Sequence, residues 1–256
     1  MHWDFAVILI FFAVAVPLLG RRRIRQLLDS PGFSSLDRLR LYASTVAFQW
    51  FASGIILWRI HARSLPLSAL GVALPHPALS IEVGAALSFL LLVNQLLGLR
   101  RLAKRPFEPR SVVPRLAAKI FPRTPRERLF YFAVVSTVAV CEEWIYRGFA
   151  QRVFQDAAGG MLLAGIAGSA VLFAFAHLYQ GRRGVFTTGI LGALFSVVRA
   201  WTGSLLPTIA AHFVADLTVG LLAPAKIAPD PAQIPEGAPE AAAGAGREEN
   251  NITNTL

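Results

Sequence analysis

Cysteine occurs once in this chain of 256 residues, at Cys141, which excludes an intrachain disulfide and a zinc site built from several thiolates. Lysine is nearly as scarce. Of the 25 basic residues only Lys104, Lys119 and Lys226 are lysines, a compositional bias in keeping with a bacterial source. Charge of any kind is thin, at 16% of residues. No His-Glu-x-x-His is present, so the usual zinc-protease spacing is excluded, and no Gly-x-Ser-x-Gly marks a serine nucleophile. There is no repeat of solenoid type. The net charge is +10, yet no basic face interleaved with aromatics accompanies it, so nucleic acid is not expected as a partner.

What is present in excess is apolar. Hydrophobic residues make up 55% of the chain, the mean hydropathy is +0.53, and runs long enough to cross a bilayer recur. The expected fold class is all-α: a polytopic transmembrane helix bundle of about seven spans, at most eight. The spans are read at about 3–20, 41–58, 79–99, 129–151, 157–178, 184–201 and 205–222. Three regions follow: N-terminal helices and a basic loop over 1–120, a helical core over 121–223 and an Ala/Pro/Gly-rich tail over 224–256, expected to be disordered. With the N-terminus outside, the loops at 21–40, 100–128 and 179–183 and the tail hold twenty of the 25 basic residues, as the positive-inside rule requires. A multi-pass protein of the cell membrane is expected, with the lipid bilayer as its surroundings. Within the basic loop, residues 116–121 read as a short amphipathic surface helix. Thr124, Pro125 and Glu127 read as a helix start. The fifth span carries small residues four apart, Ala164/Gly168 and Gly165/Ser169, which permit close helix approach.

The polar residues that interrupt these runs are few. The fourth span carries Glu142, Glu143 and Arg147. Glu143 and Arg147 lie four apart on one helical face and can pair, while Glu142 points about 100° away and is left free. The fifth span ends with Phe173 and His177, and the seventh carries His212 and Asp216, each pair again four apart. Carboxylates at membrane depth are costly unless paired or in a wet cavity, and mark function by default. A glutamate and a histidine on facing helices can take a proton from water, and a second histidine can hold charge developing on a carbonyl oxygen. The same side chains, Glu142, His177, His212 and Asp216, could instead ligate a divalent metal such as zinc, or relay protons or bind a ligand in a non-catalytic protein. Cys141 reads as a helix-packing residue.

The order Glu142-Glu143-x-x-x-Arg147, Phe173-x-x-x-His177, His212-x-x-x-Asp216 resembles the CAAX protease and bacteriocin-processing family of intramembrane endopeptidases, over about residues 120–222. The first motif, continued as Arg147-Gly-Phe-Ala-Gln151, is the most specific. The resemblance implies a peptidase acting on a membrane-associated protein or peptide. It implies Glu142 as general base helped by His177, Glu143 and Arg147 as the pair that holds the site together, and His212 with Asp216 at the oxyanion. The third motif commonly ends in Asn. Asp216 departs from that, and an ionised carboxylate is a poor oxyanion donor, so it suits a carboxyl kept protonated, an orienter of His212 or a metal ligand. The resemblance leaves a glutamic and a metal-dependent mechanism both open. A transport protein and a peptide-binding immunity or scaffold protein are the alternatives.

The span edges carry a conflict. Glu142 lies thirteen residues past Leu129, about 20 Å along a helix, whereas His177 closes the fifth span at the side where the fourth begins. The two meet if the glutamate helix is short and tilted, if the fifth span ends later than residue 178, or if the basic loop is partly embedded at the surface.

Overall fold

A computed structural model describes residues 2–30, 32–104, 116–117 and 119–223, all helices and connecting turns with no strand among them. Seven helices follow in order: α1 Trp3–Asp29, α2 Ser35–Ala62, α3 Pro77–Ala103, α4 Pro125–Ala157, α5 Leu162–Ala176, α6 Leu178–Thr202 and α7 Leu206–Leu222. Five of these, α1 to α4 and α6, are long and apolar enough to cross a membrane, and α5 and α7 are shorter apolar helices. Large apolar side chains face outward along them, among them Trp3, Phe51, Leu129, Leu163 and Phe186. An apolar exterior of this extent is stable only against lipid. The protein is therefore a multi-pass membrane protein. The expected tail and part of the basic loop lie outside the described residues.

Several edges differ from the sequence reading. α1 does not stop at Gly20 but runs through Arg21, Arg22, Arg23 and Arg25 to Asp29, with a π-helical stretch at Phe11–Ala15 just before Pro17. Proline lacks the N–H that an α-turn would use, and the widened turn accommodates the carbonyl left without a donor. α2 begins at Ser35 rather than Leu41 because Ser34 and Asp37 form a reciprocal capping box. Most of the expected loop at 21–40 is thus helical. At α4 the expected start holds: Thr124 Oγ1 accepts from the Glu127 amide at 3.2 Å, and Glu127 Oε2 accepts from the Thr124 amide at 3.3 Å. In the basic loop, residues 116, 117, 119 and 120 are helical.

The basic and acidic residues of the first half do more than orient the chain. Asp4, inside the first turns of α1, accepts from Arg59 Nη2 of α2 at 2.7 Å and pairs with Arg63 at 3.2 Å. Arg38 of α2 forms a buried pair with Glu127 of α4 at 3.1 Å, and Tyr42 donates to the Ile120 carbonyl at 2.6 Å. These bonds clamp α1 on α2, and α2 along α4.

α5 resolves the conflict over depth. Its 15 residues rise about 22 Å, short of the ~30 Å hydrocarbon core. It runs antiparallel to α4 in a register set by small residues. A Cβ at Gly165 would lie 2.7 Å from the Gln151 carbonyl oxygen, and Ser169 Oγ donates to the Tyr146 carbonyl at 2.7 Å. One turn further, the Phe173 ring lies under the Arg147 guanidinium, 4.1 Å from its centre. The helix then ends with His177 as its cap, and α6 starts at Leu178. The fifth span is short, and its last turn lies level with the glutamates of α4. Gly165→Ala must push α5 off a backbone oxygen. We expect it to lower the stability of the detergent-solubilised protein by about 1–3 kcal/mol, read as a lowered melting temperature. An unchanged melting temperature would show that this register is not constrained by close packing.

Candidate active site

The middle of α4 changes pitch where the polar residues begin. Glu143–Ala150 is π-helical between two α-helical segments, a widening found most often at functional sites. The Tyr146 carbonyl within it accepts the Gln151 amide and, as a second bond, the Ser169 hydroxyl of α5 at 2.7 Å. Gln151, the last residue of the first motif, is fully buried and donates from Nε2 to the Ser196 carbonyl of α6 at 3.0 Å. The motif therefore fixes α5 and α6 around α4 as well as carrying its charges.

Glu143 and Arg147 are both 0% exposed, and Arg147 Nη1 donates to Glu143 Oε1 at 2.8 Å. The same oxygen accepts from His212 Nδ1 of α7 at 2.9 Å. Glu143 is thus the junction of α4 with α7. Arg147 is stacked between two aromatic rings, with its guanidinium carbon 4.1 Å from the Phe173 centroid and 5.2 Å from that of Phe195. The stacking supplies a cation–π contribution that a lysine would not reproduce. Arg147 Nε and Nη2 and Glu143 Oε2 have no hydrogen-bond partner among the described residues.

Glu142 has a different setting. It is half-buried, and its Oε1 accepts from Gln49 Nε2 of α2 at 3.0 Å. The two adjacent glutamates face different sides of α4: Glu143 toward a cation and a histidine, Glu142 toward a neutral amide. His177 is also half-buried, and its Nδ1 lies 2.8 Å from the Phe173 carbonyl. A carbonyl can only accept, so Nδ1 carries the proton and the lone pair of the neutral ring sits on Nε2. The Phe173 ring is in contact with both histidines, with centroids 4.5 Å from His177 and 6.4 Å from His212. Asp216 is partly exposed, and its Oδ2 lies 3.6 Å from His212 Nε2, an ion-pair distance and too long for a hydrogen bond.

The structure thus joins Glu143, Arg147, His212 and Asp216 in one chain of polar contacts. It ties Glu142 to Gln49 and sets His177 against Phe173. Gln49 was not legible as a site residue, because it lies 93 positions before its partner and outside the three motifs. Its burial among lipid-exposed neighbours on α2 is the only signal it carries.

The four residues read as metal ligands do not converge. Among the described residues no group of three or more His, Cys, Asp or Glu side chains is gathered so as to hold a metal ion. His212 Nδ1 is committed to Glu143, and Glu142 Oε1 to Gln49.

A groove of about 520 Å³ opens between α2, α4 and the start of α7, lined by Trp50, Leu57, Val140, Cys141, Trp144 and Leu206 among others; none of Glu142, Glu143, His177, His212 and Asp216 lines it. Cys141, 1% exposed, forms part of its wall.

A helical membrane protein with a buried Glu–Arg–His network and a half-buried second glutamate at the adjacent position is the class that fold and site define. Residues 124–218 match the protein-family model described as type II CAAX prenyl endopeptidase, Rce1-like, and that segment is similar to the CAAX protease and bacteriocin-processing family. The family carries intramembrane endopeptidase activity in general, on membrane-associated peptides. No curated protein and no solved structure matches the chain.

Proposed function

We propose that the chain hydrolyses peptide bonds of membrane-associated substrates with a water activated by Glu142 and His177. The observation that carries this reading is the division of labour between adjacent carboxylates. Glu143 is walled in and shared by Arg147 and His212, whereas Glu142 is half-buried and bound only by an amide. A carboxylate already neutralised by a guanidinium is a poor base, and one held by an amide keeps its charge. Glu142 accepts a proton from water, the water oxygen bonds to the carbonyl carbon, and the C=O π pair moves onto oxygen. His177, with its Nε2 lone pair, accepts a second hydrogen bond from the same water. His212, as the imidazolium held by Glu143 at Nδ1 and faced by Asp216, donates Nε2–H to the developing oxyanion. Glu142 then returns its proton to the peptide nitrogen as the C–N bond breaks.

The class of function is tested with the purified protein in lipid nanodiscs and a panel of peptides carrying one N-terminal acyl anchor and varied C-terminal sequences. Cleavage products identified by mass are the expected result. If no peptide is cut while liposomes bearing the protein dissipate a pH gradient, and Glu142→Gln abolishes that flux, the polar cluster serves proton transport and the hydrolytic reading is lost.

A further inference from the structure

The matched segment begins at residue 124, yet the hydrogen bond to Glu142 comes from α2. We infer that Gln49 is the positioning residue of Glu142, fixing the rotamer of the carboxylate without neutralising it; the inference rests on the reading of Glu142 as the base.

The geometry that supports this runs the length of the α2–α4 contact. Gln49 is 8% exposed, on a helix whose flanking residues Phe48 and Trp50 point outward at 37% and 53%. α2 is fixed along α4 at two further levels, by Arg38 on Glu127 at 3.1 Å and by Trp50 Nε1 on Thr137 Oγ1 at 3.3 Å. The amide therefore cannot drift along α4, and its Nε2 meets Glu142 Oε1 at 3.0 Å. A buried amide in an apolar helix face is costly without a partner, so its one donated bond is directional and persistent. With Oε1 held, Oε2 is the oxygen left to take a proton. An arginine at position 49 would also hold the carboxylate but would lower its basicity by pairing with it, as Arg147 does for Glu143. A leucine would leave it free to rotate. Glutamine satisfies both requirements of a base at this depth: orientation and retained charge.

A simple helix staple would share this geometry, and the test separates the two. The infrared carboxylate band that disappears in Glu142→Gln is the spectroscopic signature of Glu142, read in the full-length protein without substrate. In Gln49→Leu that band should shift, since one of its oxygens loses a donor. On the acyl-anchored peptide cut fastest by the wild type, Gln49→Leu should lower kcat by about 10–100-fold, with KM within about twofold, the scale of one hydrogen bond to a charged group. The exchanged pair Gln49→Glu/Glu142→Gln keeps an amide and a carboxylate across the same helix contact. It should melt like the wild type and remain inactive. An unshifted band overturns the inference whether or not the protein hydrolyses peptides. A shifted band with unchanged kcat, or an active exchanged pair, overturns it too and leaves Gln49 a staple. A shifted band in a protein that cuts none of the peptides leaves Glu142 positioned by Gln49 and instead removes the hydrolytic reading.

Discussion

Glu142→Gln should lower kcat on an anchored peptide by about 10²–10⁴-fold, the contribution of a positioned general base, while leaving KM and folding nearly unchanged. The substitution is close to isosteric. Its amide oxygen can still accept from Gln49 Nε2, so the 3.0 Å contact between α2 and α4 is preserved. What is lost is the capacity to take a proton. His177→Ala removes the second acceptor for the same water and should cost a similar factor. Because both act on one step, Glu142→Gln/His177→Ala should be about as inactive as the worse single variant. The single-turnover rates of the three variants check this. Losses that multiply would place the two residues in separate steps. A Glu142→Gln enzyme of wild-type activity would end the assignment of the base.

Helix-local features were readable from sequence, and features that depend on a second helix were not. The capping box at Thr124 and Glu127, the Glu143/Arg147 spacing and the small-residue face of α5 are all set by residues within one turn of each other. Local periodicity therefore suffices for them. The same holds for the separation of the two glutamates around α4. The path of α1 through its arginines failed that reading. Arginine is a good helix former, and the positive-inside rule marks a side of the membrane without marking a helix end. The late start of α5 also escaped: the apolar run reads from 157, but α4 runs on to Ala157 and α5 begins only at Leu162. What ends α5 at His177 is the turn to α6, together with the contact of His177 with Phe173. Gln49 on Glu142 and Asp4 under Arg59 and Arg63 are contacts between helices far apart in the chain. No spacing rule within a segment encodes them. The site is therefore legible as three motifs. The means by which α2 orients its base appears only in three dimensions.

Arg147→Ala should lower the stability of the folded protein by about 3–5 kcal/mol, the cost of leaving a buried partner uncompensated. Both side chains of the Arg147–Glu143 pair are 0% exposed, so no water replaces the lost donor without opening the core. The guanidinium also fills the space between Phe173 and Phe195, at 4.1 and 5.2 Å, so the truncation adds a cavity to the stranded charge. Melting in detergent and the yield of monodisperse protein should both fall. Arg147→Lys should recover only part of the loss, because an ammonium cannot stack between the rings as a planar guanidinium does. The informative comparison is Glu143→Leu/Arg147→Leu. An apolar pair of similar bulk removes both charges at once, so much of the melting temperature should return. Activity should not return with it. His212 Nδ1 then faces a leucine in place of the oxygen it meets at 2.9 Å, and nothing on α4 aims the ring. Recovered stability with lost kcat would assign the buried pair to the placement of His212. Recovery of both would mean that the pair contributes packing alone and that the oxyanion donor must be sought elsewhere. A single Arg147→Ala variant that melts with the wild type would refute the buried-charge argument itself.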